Sequence, residues 1–189
     1  MTGPLQRAGR GTLPDGSVIA WSVAEGTRGR RWRAISTRDD RLLLGGLLEL
    51  DLDGRPTRLE LVSADGLLTL HPADGGELLH GNVVRRAGID HIELAWSDLH
   101  ELVVSGLPLV LAPGCRGLGA RVGVGETVVR PAVLVDDTLG VRSTDCRLHR
   151  LADHRWRAEP DGSASLDVGF DSAGLPAGLT AATDWPLEA

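Results

Sequence analysis

The chain has 189 residues, of which 42% are hydrophobic but only 3% aromatic, and its formal net charge is −6. A chain of this length and apolar content can enclose one sizeable core, so we expect a single domain. The acidic balance argues against general nucleic-acid binding, which needs a summed positive field, although all 20 basic residues are arginine.

The first stretch, residues 1–16, contains mainly Gly, Pro and polar residues and predicts a flexible N-terminal lead-in. It lacks the apolar h-region of a secretory signal, and no apolar run in the chain approaches the length of a membrane-spanning helix. We therefore expect a cytoplasmic protein with no transmembrane segment. In that compartment Cys115 and Cys146 are expected to be reduced thiols.

Residues 17–189 form the predicted domain, and short strand patterns dominate it. Alternating apolar residues, such as Ile92, Leu94 and Trp96 in IDHIELAW, are separated by Gly, Pro and Asp turns about every ten residues. This spacing is typical of antiparallel sheets in sandwiches, rolls and barrels. The fold class we predict is mostly β, an antiparallel β-roll or barrel-like sheet with at most one or two short helices.

Two segments in the middle of the chain have less regular patterns. SDLHELVVSGLP, residues 97–108, fits either a short helix, with Ser97 as its N-cap and Gly106 as its stop, or a strand at ELVVS. APGCRGLGARVGVGE, residues 112–126, is rich in glycine and predicts a long loop.

The tetrapeptide Arg-Trp-Arg-Ala occurs twice, around Trp32 and around Trp156. Each copy follows a strand and a turn, and each precedes a sequence of the form apolar-x-apolar-Asp, turn, Gly-x-Pro-x-x-Leu. We predict a pseudo-two-fold internal repeat with halves at roughly residues 18–112 and 125–185, the alternative being chance recurrence of common turn sequences. The residues of the pattern are Gly54, Pro56 and Leu59 in the first copy and Gly174, Pro176 and Leu179 in the second.

Strand geometry places the Trp of Arg-Trp-Arg on one face of the sheet and both Arg on the other. Trp side chains on the concave face would line a hollow between the two halves, where the apolar part of a ligand could bind. The Arg side chains would meet an anionic or sugar headgroup at the rim. The ligand-binding residues that we predict are Trp32, Trp96, Trp156, Arg31, Arg33, Arg155 and Arg157.

The sequence contains none of the common catalytic or cofactor-binding motifs. There is no G-x-S-x-G nucleophile elbow, no phosphate-binding loop, no G-x-G-x-x-G and no H-E-x-x-H, so we predict no cofactor and no metal. An enzyme is the alternative interpretation. It would use His91 and Glu93, which share a strand face, or His100 and Glu101, as acid–base residues.

Three stretches of the chain together carry a family resemblance: LDLDGRPTRLELVSADGLLTLHPADGGELLHGN, AGIDHIELAWSDLHELVVSGLPLVLA and CRLHRLADHRWRAEPDGSASLDVGFDSAGLPAGL. The second contains a Leu-Pro step at Leu107 and Pro108, and the third ends in an Asp-x-x-Gly-Leu turn that begins at Asp171. These features resemble the glycolipid-binding family, small bacterial proteins with a spiral β-roll built from two related halves. In this chain Trp156 stands where the family has Tyr. The resemblance implies a β-roll that binds a glycolipid or another lipid.

The chain departs from that family at a Thr-Pro-Phe-Thr-Asn-like segment before the Leu-Pro step, where WSDLHELVVSG stands instead. If that segment shapes the ligand site, the ligand of this chain differs from the family's. We therefore predict non-catalytic binding of an amphipathic small molecule or lipid on the concave face of the roll. The alternatives are the enzyme described above and a partner-binding β module, and a homodimer is left open.

Overall fold

The computed structural model describes residues 6–13 and 15–176, and they form a mostly β structure, as predicted. Eight strands form the first sheet: β1 Gln6–Thr12, β2 Val18–Gly26, β3 Gly29–Arg38, β4 Arg41–Leu50, β5 Pro56–Ser63, β6 Gly66–Pro72, β7 Leu78–Arg85 and β8 Gly88–Ala95. Five strands form the second sheet: β9 Glu101–Val104, β10 Thr127–Val135, β11 Val141–Ala152, β12 Arg155–Pro160 and β13 Leu166–Gly169. Between β9 and β10 lie a 3₁₀ helix, Pro108–Leu111, and the helix α1, Ala112–Leu118.

The strands of the first sheet pair in chain order, each antiparallel to the next. The second sheet has the order β13-β12-β11-β10-β9, and β9 pairs with β10 in parallel. A parallel pair needs a long crossover connection, and the 3₁₀ helix and α1 occupy it. Within the described part of the chain, no helix is long and apolar enough to cross a membrane.

The core of the molecule lies on the inner face of the first sheet. One row of directly opposed residues runs across five strands through Val23, Trp32, Leu48, Leu59 and Leu70, and all five are buried. Each such side chain contributes roughly 1.5–3 kcal/mol when it leaves water. This core cluster extends into the second sheet, and a second cluster lies between that sheet and α1.

The outer face of the first sheet carries an exposed apolar row. Val62, Leu67, Val84 and Ile89 stand opposite one another on four neighbouring strands, and they are 42–59% exposed. Contiguous apolar side chains on a solvent-facing surface favour contact with another molecule. The partner-binding alternative considered above would use an exposed surface of this kind.

The N-terminal segment differs from the sequence-based expectation. Gln6–Thr12, which fall within the predicted flexible lead-in, form β1 and pair with β2 along their whole length. The buried positions of this strand are Gly9 and Gly11. Because neither has a side chain, no apolar alternation marks the strand in the sequence.

The middle of the chain settles one open alternative and corrects one prediction. Of the two structures considered for residues 97–108, the strand is confirmed, as β9. The glycine-rich loop predicted for residues 112–126 is wrong at its start, where α1 forms. Leu111, Cys115 and Leu118 are buried at the helical spacing i, i+4, i+7, and packing of this apolar face outweighs the low helix propensity of the intervening glycines.

The two Arg-Trp-Arg-Ala copies have the same register with the strand that follows them. In each copy the Trp is buried and stands opposite an apolar residue, and that residue lies three positions before the Asp of a turn. The residues are Trp32, Leu48 and Asp51 in the first copy and Trp156, Val168 and Asp171 in the second.

The two Asp turns also make the same hydrogen bonds. In each turn the Asp N–H donates to the carbonyl four residues later, and the Asp Oδ1 accepts the N–H groups two and four residues later. Gly54 and Gly174 take the same position in their turns, with φ of 81° and 78°, a conformation that favours glycine. The two turns thus have the same local geometry, whereas the pseudo-two-fold halves stay a prediction and Leu179 lies outside the described residues.

Candidate functional site

A cavity of about 660 Å³ is lined by both sheets and by α1. Its walls come from the start of β3, the end of β4 with the turn that follows, residues 96–102, β10 and α1. A volume of this size is typical of small-molecule sites. Residues 96–102 lead from the first sheet into the second. Several polar side chains of the cavity wall belong to this segment.

Glu101, the first residue of β9, carries a buried carboxyl group at the cavity wall, with its side chain 8% exposed. Gly114 of α1 makes room for that carboxyl, since a Cβ at position 114 would lie 1.8 Å from Glu101 Oε2. Atoms cannot approach so closely, so any side chain at 114 would displace the carboxyl group. The glycine of α1 is therefore part of the site.

Arg130 of β10 is the basic partner of Glu101. Its Nε lies 3.5 Å from Glu101 Oε1, close enough for an ion pair, but the two atoms form no hydrogen bond. Arg130 Nε is buried and has no acceptor among the described residues, while an Nη of the same guanidinium donates to the carbonyl of Asp98 at 3.4 Å. The guanidinium is thus anchored at one end, and its Nε–H group has an unmet hydrogen bond beside the carboxyl.

Burial controls the protonation of Glu101. Removal from water raises the pKa of its carboxyl group to about 7, and the positive charges of Arg130 and Arg121 offset only part of this effect. Near neutral pH, protonated and ionised forms of Glu101 are therefore both populated.

His100 lies next to Glu101 and also lines the cavity. Its ring is stacked on Trp96, with the ring centroids 5.3 Å apart, and its Nδ1 lies 3.0 Å from Ser97 Oγ. Burial is the main cause that lowers the pKa of His100 below its ordinary value of 6.5. The imidazole is therefore neutral at pH 7, when Glu101 is partly protonated.

The other charges of the cavity fall into three groups, one of which is the pair of carboxylates Asp51 and Asp53 in the turn after β4. Two arginines have carboxylate partners: Arg30 pairs with Glu25 at 3.2 Å, and Arg55 pairs with Asp98 at 3.0 Å. Arg116 and Arg121, on the α1 side, pair with no carboxylate among the described residues. The α1 side of the cavity therefore carries unpaired positive charge.

The predicted tryptophans lie in two different places. Trp32 and Trp96 line the cavity. Trp156 does not, because it is fully buried in the second core cluster, with the Arg150 guanidinium 5.9 Å from the centre of its ring. The structure thus brings two of the three predicted aromatic residues together and separates the third from them.

The four predicted arginines lie on outward-facing strand positions and do not line the cavity. Two of them pair with carboxylates across the strand: Arg31 Nε donates to Glu49 at 2.8 Å, and Arg157 Nε donates to Asp167 at 2.8 Å. The guanidinium groups that do line the cavity belong to residues that the repeat did not single out. The four predicted residues are Arg31, Arg33, Arg155 and Arg157.

His91 and Glu93 lie in a separate indentation of about 240 Å³ on the first sheet, and His100 does not line it. His91 Nδ1 lies 2.6 Å from Asn82 Oδ1, and Glu93 Oε2 lies 3.7 Å from His80 Nδ1. No group of three or more His, Cys, Asp or Glu that could hold a metal occurs in the described part of the chain. The four residues of the enzyme alternative therefore belong to two sites, with His91 and Glu93 in this indentation and His100 and Glu101 in the cavity.

Cys115 and Cys146 are free thiols and do not line the cavity. Both are fully buried, and burial raises the pKa of both, that of Cys146 to about 11. Thiols of this kind are unreactive and act as small apolar side chains in the core.

Sequence reasoning did not single out Gly114 and Arg130, and it named Glu101 only beside His100 in the enzyme alternative. One clue to Glu101 is present in the sequence, because this charged residue directly precedes the uncharged stretch LVVSGLPLVLA. Gly114 and Arg130 could not be found in this way, since their roles depend on a contact across the crossover connection.

Comparison with known proteins supports the fold. No family model matches the chain, and no curated protein matches it. A solved structure of a DUF1089 family protein from Pseudomonas aeruginosa is similar, with a TM-score of 0.51 and 19% sequence identity, over 95% of this chain and 93% of that chain. At this identity the similarity supports the fold alone.

Proposed function

We propose that this protein binds an amphipathic small molecule, such as a lipid, in the cavity between its two sheets and α1. The observation that carries the proposal is that the cavity wall contains both apolar and charged side chains. Trp32, Leu50 and Val110 contribute apolar surface, whereas Glu101 and Arg130 form a buried ion pair. A ligand with an apolar body and a polar end matches both parts.

The family resemblance in the sequence supports a lipid as the ligand, with a glycolipid as one candidate. The segment at which the chain departs from that family is residues 96–106, and Trp96, Ser97, Asp98 and His100 of that segment line the cavity. The departure therefore falls on the polar part of the proposed site. We expect the polar end of the ligand to be specific to this chain.

Native mass spectrometry of the purified protein tests the proposal. Gly117 of α1 lines the cavity, and a Cβ there meets no atom within 4 Å, so a large side chain can be added without a clash. Gly117→Trp is expected to remove any amphipathic ligand that copurifies with the wild type, because the indole takes up cavity volume. Gly117→Ala is the matched control and should keep the ligand.

Three results would contradict binding in the cavity. An apo mass that stays free of ligand after incubation with single-chain amphiphiles would reject the proposal. Equal ligand occupancy in the wild type and Gly117→Trp would place binding elsewhere. A stable dimer without ligand would favour the partner-binding alternative, through the exposed row at Val62, Leu67, Val84 and Ile89.

Ester hydrolysis is a second candidate function, favoured by the contact of 3.0 Å between Ser97 Oγ and His100 Nδ1 at the cavity wall. The neutral imidazole could take the proton of Ser97 as its oxygen attacks an ester carbonyl, and give that proton to the alkoxide, which leaves as an alcohol. A water molecule, deprotonated by the same imidazole, would then attack the acyl-serine, release the carboxylic acid and restore Ser97. Release of p-nitrophenol from p-nitrophenyl decanoate measures this activity. Turnover that Ser97→Ala abolishes would support hydrolysis, and turnover equal in both proteins would reject it.

A further inference from the structure

Glu101 and Arg130 in the cavity wall form an ion pair whose hydrogen bonding is incomplete. The carboxyl of Glu101 is more than nine-tenths buried, and its one ion pair among the described residues is with Arg130. Arg130 Nε–H beside it has no acceptor among those residues. A buried polar group without a partner is unfavourable, so this part of the cavity wall favours a ligand that accepts hydrogen bonds.

The charges nearby favour a negative ligand group. Glu101 faces Arg130, and the unpaired Arg121 also acts on it. Arg116, on the same side of the cavity, has no carboxylate partner in the described part of the chain. Asp51 and Asp53 also line the cavity, in the turn after β4, so the unpaired guanidinium groups lie on the α1 side, and an anion there would be stabilised by them.

We propose that the polar end of the ligand is an anion, a carboxylate or a phosphate, which binds beside Arg130 and Glu101 while Glu101 carries a proton. The inference rests on the proposed function and states which amphiphiles the cavity takes. The anion accepts hydrogen bonds from the guanidinium of Arg130 and from the O–H of Glu101.

The proton on Glu101 follows from the surroundings of its carboxyl. An ionised Glu101 beside a buried anion would leave two negative charges in contact, and protonation of Glu101 removes that repulsion. The thiols of Cys115 and Cys146 also face this carboxyl, and both are neutral because burial raises their pKa values. His100 also lines the cavity, and its neutral imidazole could take up the proton instead, so the Glu101→Gln variant is needed to assign the proton.

Linkage between the proton and the anion fixes the sign of the pH dependence. The pKa of Glu101 is about 7 without ligand, so at pH 8 most molecules must gain a proton to bind an anion. The affinity for an anionic amphiphile should therefore be about tenfold lower at pH 8 than at pH 6. A neutral alcohol should show no such change, and a cationic amphiphile should show the opposite one.

Isothermal titration calorimetry with single-chain amphiphiles tests the inference. The probes are decanoate, decyl phosphate, decanol and decyl maltoside, each below its critical micelle concentration, and decanoate is titrated at pH 6 and pH 8 in two buffers of different ionisation enthalpy. We expect decanoate to bind about tenfold more weakly at pH 8, with uptake of close to one proton per ligand. Comparison of decanoate with decyl phosphate at pH 6 distinguishes a carboxylate from a phosphate headgroup.

Two variants test whether Glu101 is the group that takes up the proton when the ligand binds. Glu101→Gln keeps a hydrogen-bond donor without a charge, so it should bind decanoate equally at both pH values and take up no proton. Glu93→Gln is the matched control, because Glu93 is exposed and lies in the other indentation. It should leave the wild-type pH dependence unchanged.

The outcomes separate the inference from the function on which it rests. Decanol or decyl maltoside binding as tightly as decanoate, or proton uptake that survives in Glu101→Gln, would overturn the anion–proton inference and leave amphiphile binding intact. Failure of all four probes to bind would overturn both.

Discussion

The two Arg-Trp-Arg-Ala copies share a local structure but face different surroundings. Trp32 and Trp156 are both buried, and each has the same register with a following Asp turn. Trp32 borders the cavity, whereas the space beside Trp156 is occupied by Arg150, whose Nη1 donates to the carbonyl of Gly119 at 2.8 Å. One copy therefore borders an open volume, and the other is enclosed.

The difference between the copies shows which level of structure carries the candidate function. Strand alternation and turn chemistry decide that both tryptophans point inward. What each indole then meets depends on its tertiary surroundings, which are the cavity in one copy and the Arg150 side chain in the other. A repeated sequence thus predicts equivalent burial without predicting an equivalent site.

Truncation of the two tryptophans gives the largest expected effect. Trp156→Ala should lower the free energy of unfolding by about 5 kcal/mol, because it leaves an enclosed void and removes the ring beneath Arg150. Trp32→Ala should cost about 3 kcal/mol, since one side of its indole already borders a cavity. Urea unfolding of both variants measures the difference. A larger loss of unfolding free energy for Trp32→Ala than for Trp156→Ala would contradict the conclusion that the Trp32 indole borders the cavity.

The pH dependence of stability tests the surroundings of the first copy, because Glu101 and Trp32 line the same cavity. The pKa of Glu101 rises from an ordinary value of 4.5 to about 7 on folding, so its ionised form opposes folding. Below pH 4.5 Glu101 does not change the free energy of unfolding. As the pH rises from 4.5 to 7, its ionisation lowers the free energy of unfolding by roughly 3 kcal/mol in total, and above pH 7 there is no further change.

Glu101→Gln removes this titration. The free energy of unfolding of the variant, measured relative to the wild type in urea, should rise by roughly 3 kcal/mol between pH 4.5 and pH 7. Other titrating groups cancel in that difference. A difference that does not change with pH would mean that Glu101 is solvated like an exposed carboxyl.

The glycines of the two Asp turns provide the smallest expected effect. Gly54→Ala should cost about 1 kcal/mol, because its φ of 81° is unfavourable for alanine and its Cβ meets no other atom within 4 Å. Gly174→Ala carries the same backbone cost at φ 78°, and its Cβ would also lie 2.7 Å from Arg116 Cδ. Arg116 must therefore move in this variant. Thermal unfolding of the pair should show the larger shift for Gly174→Ala, and equal shifts would contradict this contact.

Most of the fold could be predicted from the sequence because its strands alternate and its turns contain Asp and Gly. The exceptions have physical causes. Strand β1 buries Gly9 and Gly11 and so has no apolar pattern, and α1 contains glycines that a propensity argument assigns to a loop. In both places tertiary packing outweighs local preference.

The candidate site could be predicted only in part. Trp32 and Trp96 could be predicted as site residues, because the alternation of apolar and polar residues along a strand shows which aromatic side chains point inward. The parallel pairing of β9 with β10 brings Glu101 and Arg130 together, and α1 places Gly114 against Glu101. No spacing in the sequence encodes that arrangement.

Nuclear magnetic resonance of the tryptophan indole N–H groups tests the central claim most directly, because each of the five tryptophans gives its own resonance. The protein is labelled with ¹⁵N and titrated with decanoate at pH 6. The resonances of Trp32 and Trp96 should shift together and saturate, while that of Trp156 should stay in place. A shift of Trp156 with no shift of Trp32 and Trp96 would contradict the account.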